Sequence, residues 1–153
     1  MTYLTLRLLH IASMAVWFGA MLFLSGDVRR TLAAGPEHAD LLRTRCKRAT
    51  VAAAAAGGIT LLTGFGLIGV LGGMGAVPPA VHMGMTVSIV MLFLGGGVGR
   101  TWRSIDAGLA EGKPGADLMP LSKRITILTG IFHLLWVLTL ITMVFRSVLM
   151  GQG

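Results

Sequence analysis

Four long apolar stretches are the feature that most constrains how this chain can fold. They cover about residues 4–25, 51–73, 79–98 and 125–148. A helix needs about 20 apolar residues to cross the hydrocarbon core of a bilayer, and each stretch meets that length. We therefore expect residues 1–153 to form a single transmembrane domain with four spanning helices.

The composition supports a membrane protein and excludes several other classes. Hydrophobic residues make up 54% of the chain and charged residues only 12%, whereas soluble domains carry about 25% charged residues. The net charge of +7 comes mainly from two connecting segments, so the basic residues indicate membrane topology rather than a nucleic-acid surface. The predicted partner is the lipid bilayer, with no nucleic acid.

The charges also predict the orientation of the chain. Of the 13 Lys and Arg residues, 11 lie in the connections 27–48 and 100–124, together with all 6 acidic residues. The positive-inside rule places both connections in the cytoplasm. The connection at residues 72–79 is uncharged, so we expect it outside with both termini, near Arg7 and Arg146. This pattern is typical of a multi-pass membrane protein.

Helix-breaking residues in the cytoplasmic connections are confined to Gly35-Pro36 and to residues 112–115. The helices should therefore continue beyond the bilayer, giving an all-α, up-down-up-down four-helix bundle with cytoplasmic extensions. Residues 21–30 and 91–100 match at 7 of 10 positions, which indicates a two-helix internal repeat. A lone Cys46 cannot form an internal disulfide and is assigned no role.

Three histidines fall inside the spans, where ionisable residues are costly and usually functional. His10 lies about 9 Å and His82 about 5 Å from the outer ends of the first and third helices. These helices are diagonal in such a bundle, so the two imidazoles could clamp a haem b from both faces. His38 lies beside Glu37 in a connection and is expected to be solvated.

His133 lies about 20 Å deep and cannot reach the same iron as the other two spanning histidines. We expect it to be buried, neutral and hydrogen-bonded to a neighbouring helix. A second haem site or a proton-relay role at His133 stays open.

One face of the first helix suits a flat cofactor. Its residues follow a spacing of three and four, and they are Arg7, His10, Met14, Trp17 and Met21. Arg7 would meet a haem carboxylate near the outer surface. Glycines in the second and third helices permit close backbone approach or plain helix packing; they are Gly64, Gly66, Gly69, Gly73, Gly95, Gly96, Gly97 and Gly99.

Two alternatives to haem remain open for this histidine pair. His82, Met83 and Met85, with His10 nearby, offer imidazole and thioether ligands suited to copper. The histidines could also be buried groups that only hydrogen-bond between helices. His10 precedes Met21 by 11 residues and His82 precedes Met91 by 9, so within the repeat they differ by about 200° of helical rotation.

The pattern Leu9-His10, then Trp17-Phe18-Gly19 and Arg29-Arg30 resembles the first helix of the bacterial copper-resistance D family. It also resembles the J-type protoporphyrinogen oxidase family, which are membrane haem b proteins. The resemblance implies haem binding at His10 and, through the start of a later helix, at His82. No lysine follows His82 as it does in the J-type pattern, so porphyrinogen oxidation is not implied.

Together these observations predict a small membrane b-type haem protein that acts in electron transfer or oxidoreduction near the outer face. Its partner would be a quinone or a redox protein. The sequence has no nucleotide-binding or haem c attachment motif, so a bound cofactor would have to supply the redox chemistry. The alternatives are a copper-binding or copper-transport membrane protein and a non-catalytic accessory membrane subunit.

Overall fold

The computed structural model describes residues 1–145, which are almost entirely helical. The last eight residues, including Arg146 and the end of the predicted fourth span, lie outside the described residues. Short 3-10 turns at Pro36–His38 and Met74–Ala76 join some of the helices. The helices are α1 Thr2–Leu22, α2 Leu24–Ala34, α3 Ala39–Val70, α4 Pro79–Ala110 and α5 Gly115–Val144.

Glycine and proline end these helices where the sequence predicted. Gly35 and Gly112 have φ values of 118° and 73°, a backbone region that other residues rarely adopt. Pro79 is the first residue of α4, where its missing N–H costs no helical hydrogen bond. The second span ends earlier than predicted, because α3 stops at Val70 and Gly72 and Gly73 turn the chain with positive φ.

Four helical segments are long and apolar enough to cross a membrane, as predicted. The first combines α1 and α2, which are separated only at Phe23. A helix of 32 residues, such as α3 or α4, is about 48 Å long and exceeds the hydrocarbon core of about 30 Å. Each of the four segments, at 30 to 33 residues, therefore extends beyond the apolar layer.

The helices pack in two pairs, with α1 against α3 and α4 against α5. The pairs meet through α2 on α5 and α3 on α4, while α1 and α4 share few contacts. The buried core includes Trp17, Met91, Ile125 and Phe132. Many large apolar side chains remain exposed, such as Phe93 at 76%, as expected for helices that face lipid.

Ion pairs join the helices near the predicted cytoplasmic end. Arg43 Nε donates to Asp106 Oδ1 at 2.8 Å, and Arg45 Nε lies 3.1 Å from Asp27 Oδ2. Cys46 is fully buried in this layer, and burial raises the pKa of its thiol to about 12. The thiol is therefore protonated at neutral pH.

Candidate functional site

The imidazole of His10 is anchored to α3. Its Nδ1 atom lies 3.0 Å from the carbonyl oxygen of Thr60 and 3.1 Å from Oγ1 of Thr63. A carbonyl oxygen can only accept, so Nδ1 carries the proton and donates it. Thr63 Oγ1 donates its own proton to the carbonyl oxygen of Ile59 at 2.7 Å, so it can accept a hydrogen bond from the imidazole. Nε2 of His10 is therefore left with a free lone pair.

A second polar contact lies one turn further along the same two helices. Ser13 Oγ donates to the carbonyl oxygen of His10 at 3.0 Å and lies 2.9 Å from Oγ1 of Thr60. Because the Ser13 proton is already used, Thr60 Oγ1 is the donor in that pair. Ser13 and Thr60 are both buried. Interhelical bonds of this kind hold membrane helices in a defined rotation.

Glycine at position 64 makes room for the histidine ring. A Cβ built on Gly64 would lie 3.3 Å from His10 Cε1, which is tighter than ordinary van der Waals contact. Gly57 plays the same part for Trp17, whose Cε2 would lie 3.0 Å from an added Cβ. These two glycines therefore serve close packing between α1 and α3.

The remaining predicted residues of α1 occupy different environments. Arg7 is exposed, Met14 is half-buried, and Trp17 is fully buried. Trp17 meets Phe132 of α5 edge to face, with ring centroids 5.2 Å apart. The buried face of α1 contains Ser13, Trp17 and Met21.

His82 is half-buried on α4. Its carbonyl oxygen accepts a bond from Thr86 Oγ1, but its ring makes no hydrogen bond to any residue in 1–145. Met83 is exposed and Met85 half-buried on the same helix. The ring of His10 bonds to α3, and no hydrogen bond joins it to His82 within the described range.

No group of three or more His, Cys, Asp or Glu residues capable of holding a metal ion occurs in the described part of the chain. Two cavities of about 310 and 330 Å³ lie between helices, and neither is lined by a histidine. A haem at His10 would therefore lie outside both cavities.

The predicted interhelical hydrogen bond of His133 is wrong. Its Nε2 atom is buried without a partner in the described structure, and so is Nε1 of Trp136. The ring instead packs edge to face against Phe18 of α1, with ring centroids 4.9 Å apart. The ring centroids of Phe18 and Trp136 are 4.4 Å apart. Phe18 packs against both rings where a polar partner was expected, so aromatic contacts join α5 to α1 here. His38 is exposed beside Glu37, as predicted.

Sequence reasoning missed Ser13, Thr60 and Thr63 as partners of His10. A signal was present, since Thr60, Thr63 and Gly64 fall on one face of a helix at a spacing of three and four. Comparisons with protein-family models, curated proteins and solved structures found no match for this chain.

Proposed function

We propose that this chain is a small b-type haem protein of the bacterial inner membrane, with His10 as an axial ligand to the iron. The observation that carries the proposal is the hydrogen bond from Nδ1 to the Thr60 carbonyl oxygen at 3.0 Å. Metal-binding histidines almost always donate their other ring N–H to a carbonyl or carboxylate, which fixes the tautomer. His10 is therefore held in the tautomer that leaves Nε2 free to bind a haem iron.

The donor chemistry of this site fits a haem. Thr60 and Thr63 hold the proton at Nδ1, and Gly64 lets the ring approach α3 closely. His82 is the proposed second ligand because its half-buried ring has no polar partner in residues 1–145. Arg7 is exposed near the start of α1 and is proposed to meet a haem carboxylate. Bound haem b would supply one-electron chemistry.

The proposed topology is up-down-up-down, with both termini outside. The distribution of charge supports it, because 11 of the 13 basic residues lie in residues 27–48 and 100–124. The ion pairs Arg43–Asp106 and Arg45–Asp27 lie in the same two connections. The proposed haem would then lie near the outer face, where a quinol or a redox protein is the proposed electron partner.

The proposed two-helix repeat is supported by matching burial in both copies. Met21 and Met91 are 3% and 0% exposed, whereas Phe23 and Phe93 are 75% and 76% exposed. Val28 and Val98, which also match in sequence, are 0% and 1% exposed. Residues that match in sequence thus also match in orientation toward the core, as a pseudo-twofold axis along the membrane normal requires.

The test is an absorption spectrum of the purified protein, with metal analysis of the same sample. We expect a Soret band and, after reduction, the sharp visible bands of six-coordinate haem b. A colourless protein with stoichiometric copper would overturn the haem proposal in favour of a copper site. A colourless protein without metal would indicate a non-catalytic accessory subunit.

A further inference from the structure

We propose that the groove between α3 and α4 binds one anionic phospholipid, with its acyl chain against the glycines of α4 and its headgroup at Arg103. The groove is a half-open cavity of about 310 Å³, and the buried side chains of Trp17 and Met21 of α1 form its floor. This proposal is independent of the haem proposal, because the groove is not lined by a histidine.

The walls of the groove are apolar along most of its length. Ala54 lines it from α3 and Leu92 lines it from α4, above the floor formed by α1. From Leu92 to Arg103 the groove follows 11 residues of α4, which is about 16 Å of helix. An acyl chain matches this shape, since it is long, narrow and apolar.

Two glycines in the groove are not explained by packing within the protein. A Cβ built on Gly96 or on Gly99 would have no heavy atom within 4 Å. Alanine would therefore fit at both positions, and it forms helices more readily than glycine. The glycines keep this part of the groove open, and the acyl chain of the bound lipid would lie in that space.

A cation marks one end of the groove. Arg103 lines it, is exposed, and forms no ion pair with any residue in 1–145. A guanidinium binds phosphate oxygens in a bidentate manner, and basic pockets between helices on the cytoplasmic side bind anionic lipid headgroups. The charge of the groove therefore complements an anionic headgroup.

A second copy of the chain is the competing occupant. Gly95 and Gly99 are four residues apart, a spacing typical of paired membrane helices. A parallel two-fold pair through this groove would bring two copies of Arg103 toward each other, and like charges oppose such pairing. The same charge favours the anionic lipid.

The experiment is native mass spectrometry of the full chain in neutral detergent. The protein is titrated with phosphatidylglycerol or with phosphatidylcholine of identical acyl chains. We expect a one-to-one complex with either lipid. The complex with phosphatidylglycerol should form at lower lipid concentrations than the complex with phosphatidylcholine. Arg103→Gln should weaken that binding about fivefold, since one basic residue near the membrane surface contributes about 1 kcal/mol. Arg124→Gln, which removes an exposed charge outside the groove, should change it less than twofold.

A second pair of variants tests the groove itself. Gly96→Leu should abolish the one-to-one complex with either lipid, whereas Gly130→Leu, at another position with open space around its Cβ, should preserve it. Gly99→Leu serves in place of Gly96→Leu if the latter does not fold. Equal binding of both lipids, equal effects of the two arginine variants, or full binding by Gly96→Leu would overturn the proposal. A wild-type dimer that Gly96→Leu converts to a monomer would assign the groove to a second copy.

Discussion

The Nδ1 atom of His10 lies 3.0 Å from the carbonyl oxygen of Thr60, fifty residues further along the chain. The contact joins α1 to α3 and determines which ring nitrogen carries the proton. Thr63 Oγ1 lies 3.1 Å from the same nitrogen. The imidazole is thus oriented before any ligand binds, which reduces the entropic cost of binding one.

Replacement of Thr63 by valine tests this orientation. Thr63→Val removes one acceptor of Nδ1 while it keeps the side-chain shape, and the Thr60 carbonyl oxygen remains. Loss of such a partner typically lowers metal affinity by 10–100-fold, and we expect about tenfold here. The measurement is a haem titration followed by absorbance.

Thr139→Val is the matched control for Thr63→Val. Thr139 is also buried, and its Oγ1 donates to the carbonyl oxygen of Leu135 in its own helix. We expect this variant to bind haem like the wild type. Equal losses in the two variants would show that Thr63 acts through general packing and not through His10.

Alanine variants separate the proposed haem ligands from the other histidines. His10→Ala and His82→Ala should each abolish the six-coordinate spectrum or convert it to a five-coordinate one, because each removes one axial ligand. His38→Ala should leave the spectrum unchanged, since His38 is exposed beside Glu37. An unchanged spectrum in His10→Ala would contradict the assignment.

His133→Phe tests whether the deep histidine has a structural role only. Its Nε2 has no partner in the described structure, so the substitution removes no hydrogen bond and relieves the cost of an unpaired polar group, about 1–3 kcal/mol. We expect equal or higher thermal stability in detergent with full haem content. Loss of half the haem would instead assign a second cofactor to His133.

Reporter fusions test the orientation of the chain. A fusion at Gly112, between α4 and α5, should be active in the cytoplasm, and one at Gly75, between α3 and α4, should be active outside. Cytoplasmic activity at Gly75 would invert the proposed topology and move the His10 site to the opposite face of the membrane.

Cys46 should resist alkylation at pH 8, because it is fully buried and burial raises the pKa of its thiol to about 12. Above a pH of about 9 the thiol loses its proton in the unfolded state but keeps it in the folded state. The free energy of unfolding therefore falls as the pH rises from about 9 to 12. The control is a Cys46→Ser chain with Thr44→Cys, an exposed position on the same helix. Rapid labelling of Cys46 in the folded protein would contradict its burial.

The sequence by itself determined the four apolar helices and the positions where most of them end. Both depend on local properties, namely the length of an apolar stretch and the backbone limits of glycine and proline. The breaks at Gly35 and Gly112 were predictable for that reason. The end of the second span was misplaced because apolar residues continue past Val70 into the turn.

Only the tertiary structure decided which groups the histidines meet. His10 finds two acceptors on α3, whereas His133 finds Phe18 and no polar partner in residues 1–145. A residue adds about 100° of rotation in a helix, so a small change in packing exchanges one set of neighbours for another. The rotation of each helix is set by how the side chains of all its neighbours fit together, and that fit is a property of the assembled bundle and not of a local pattern.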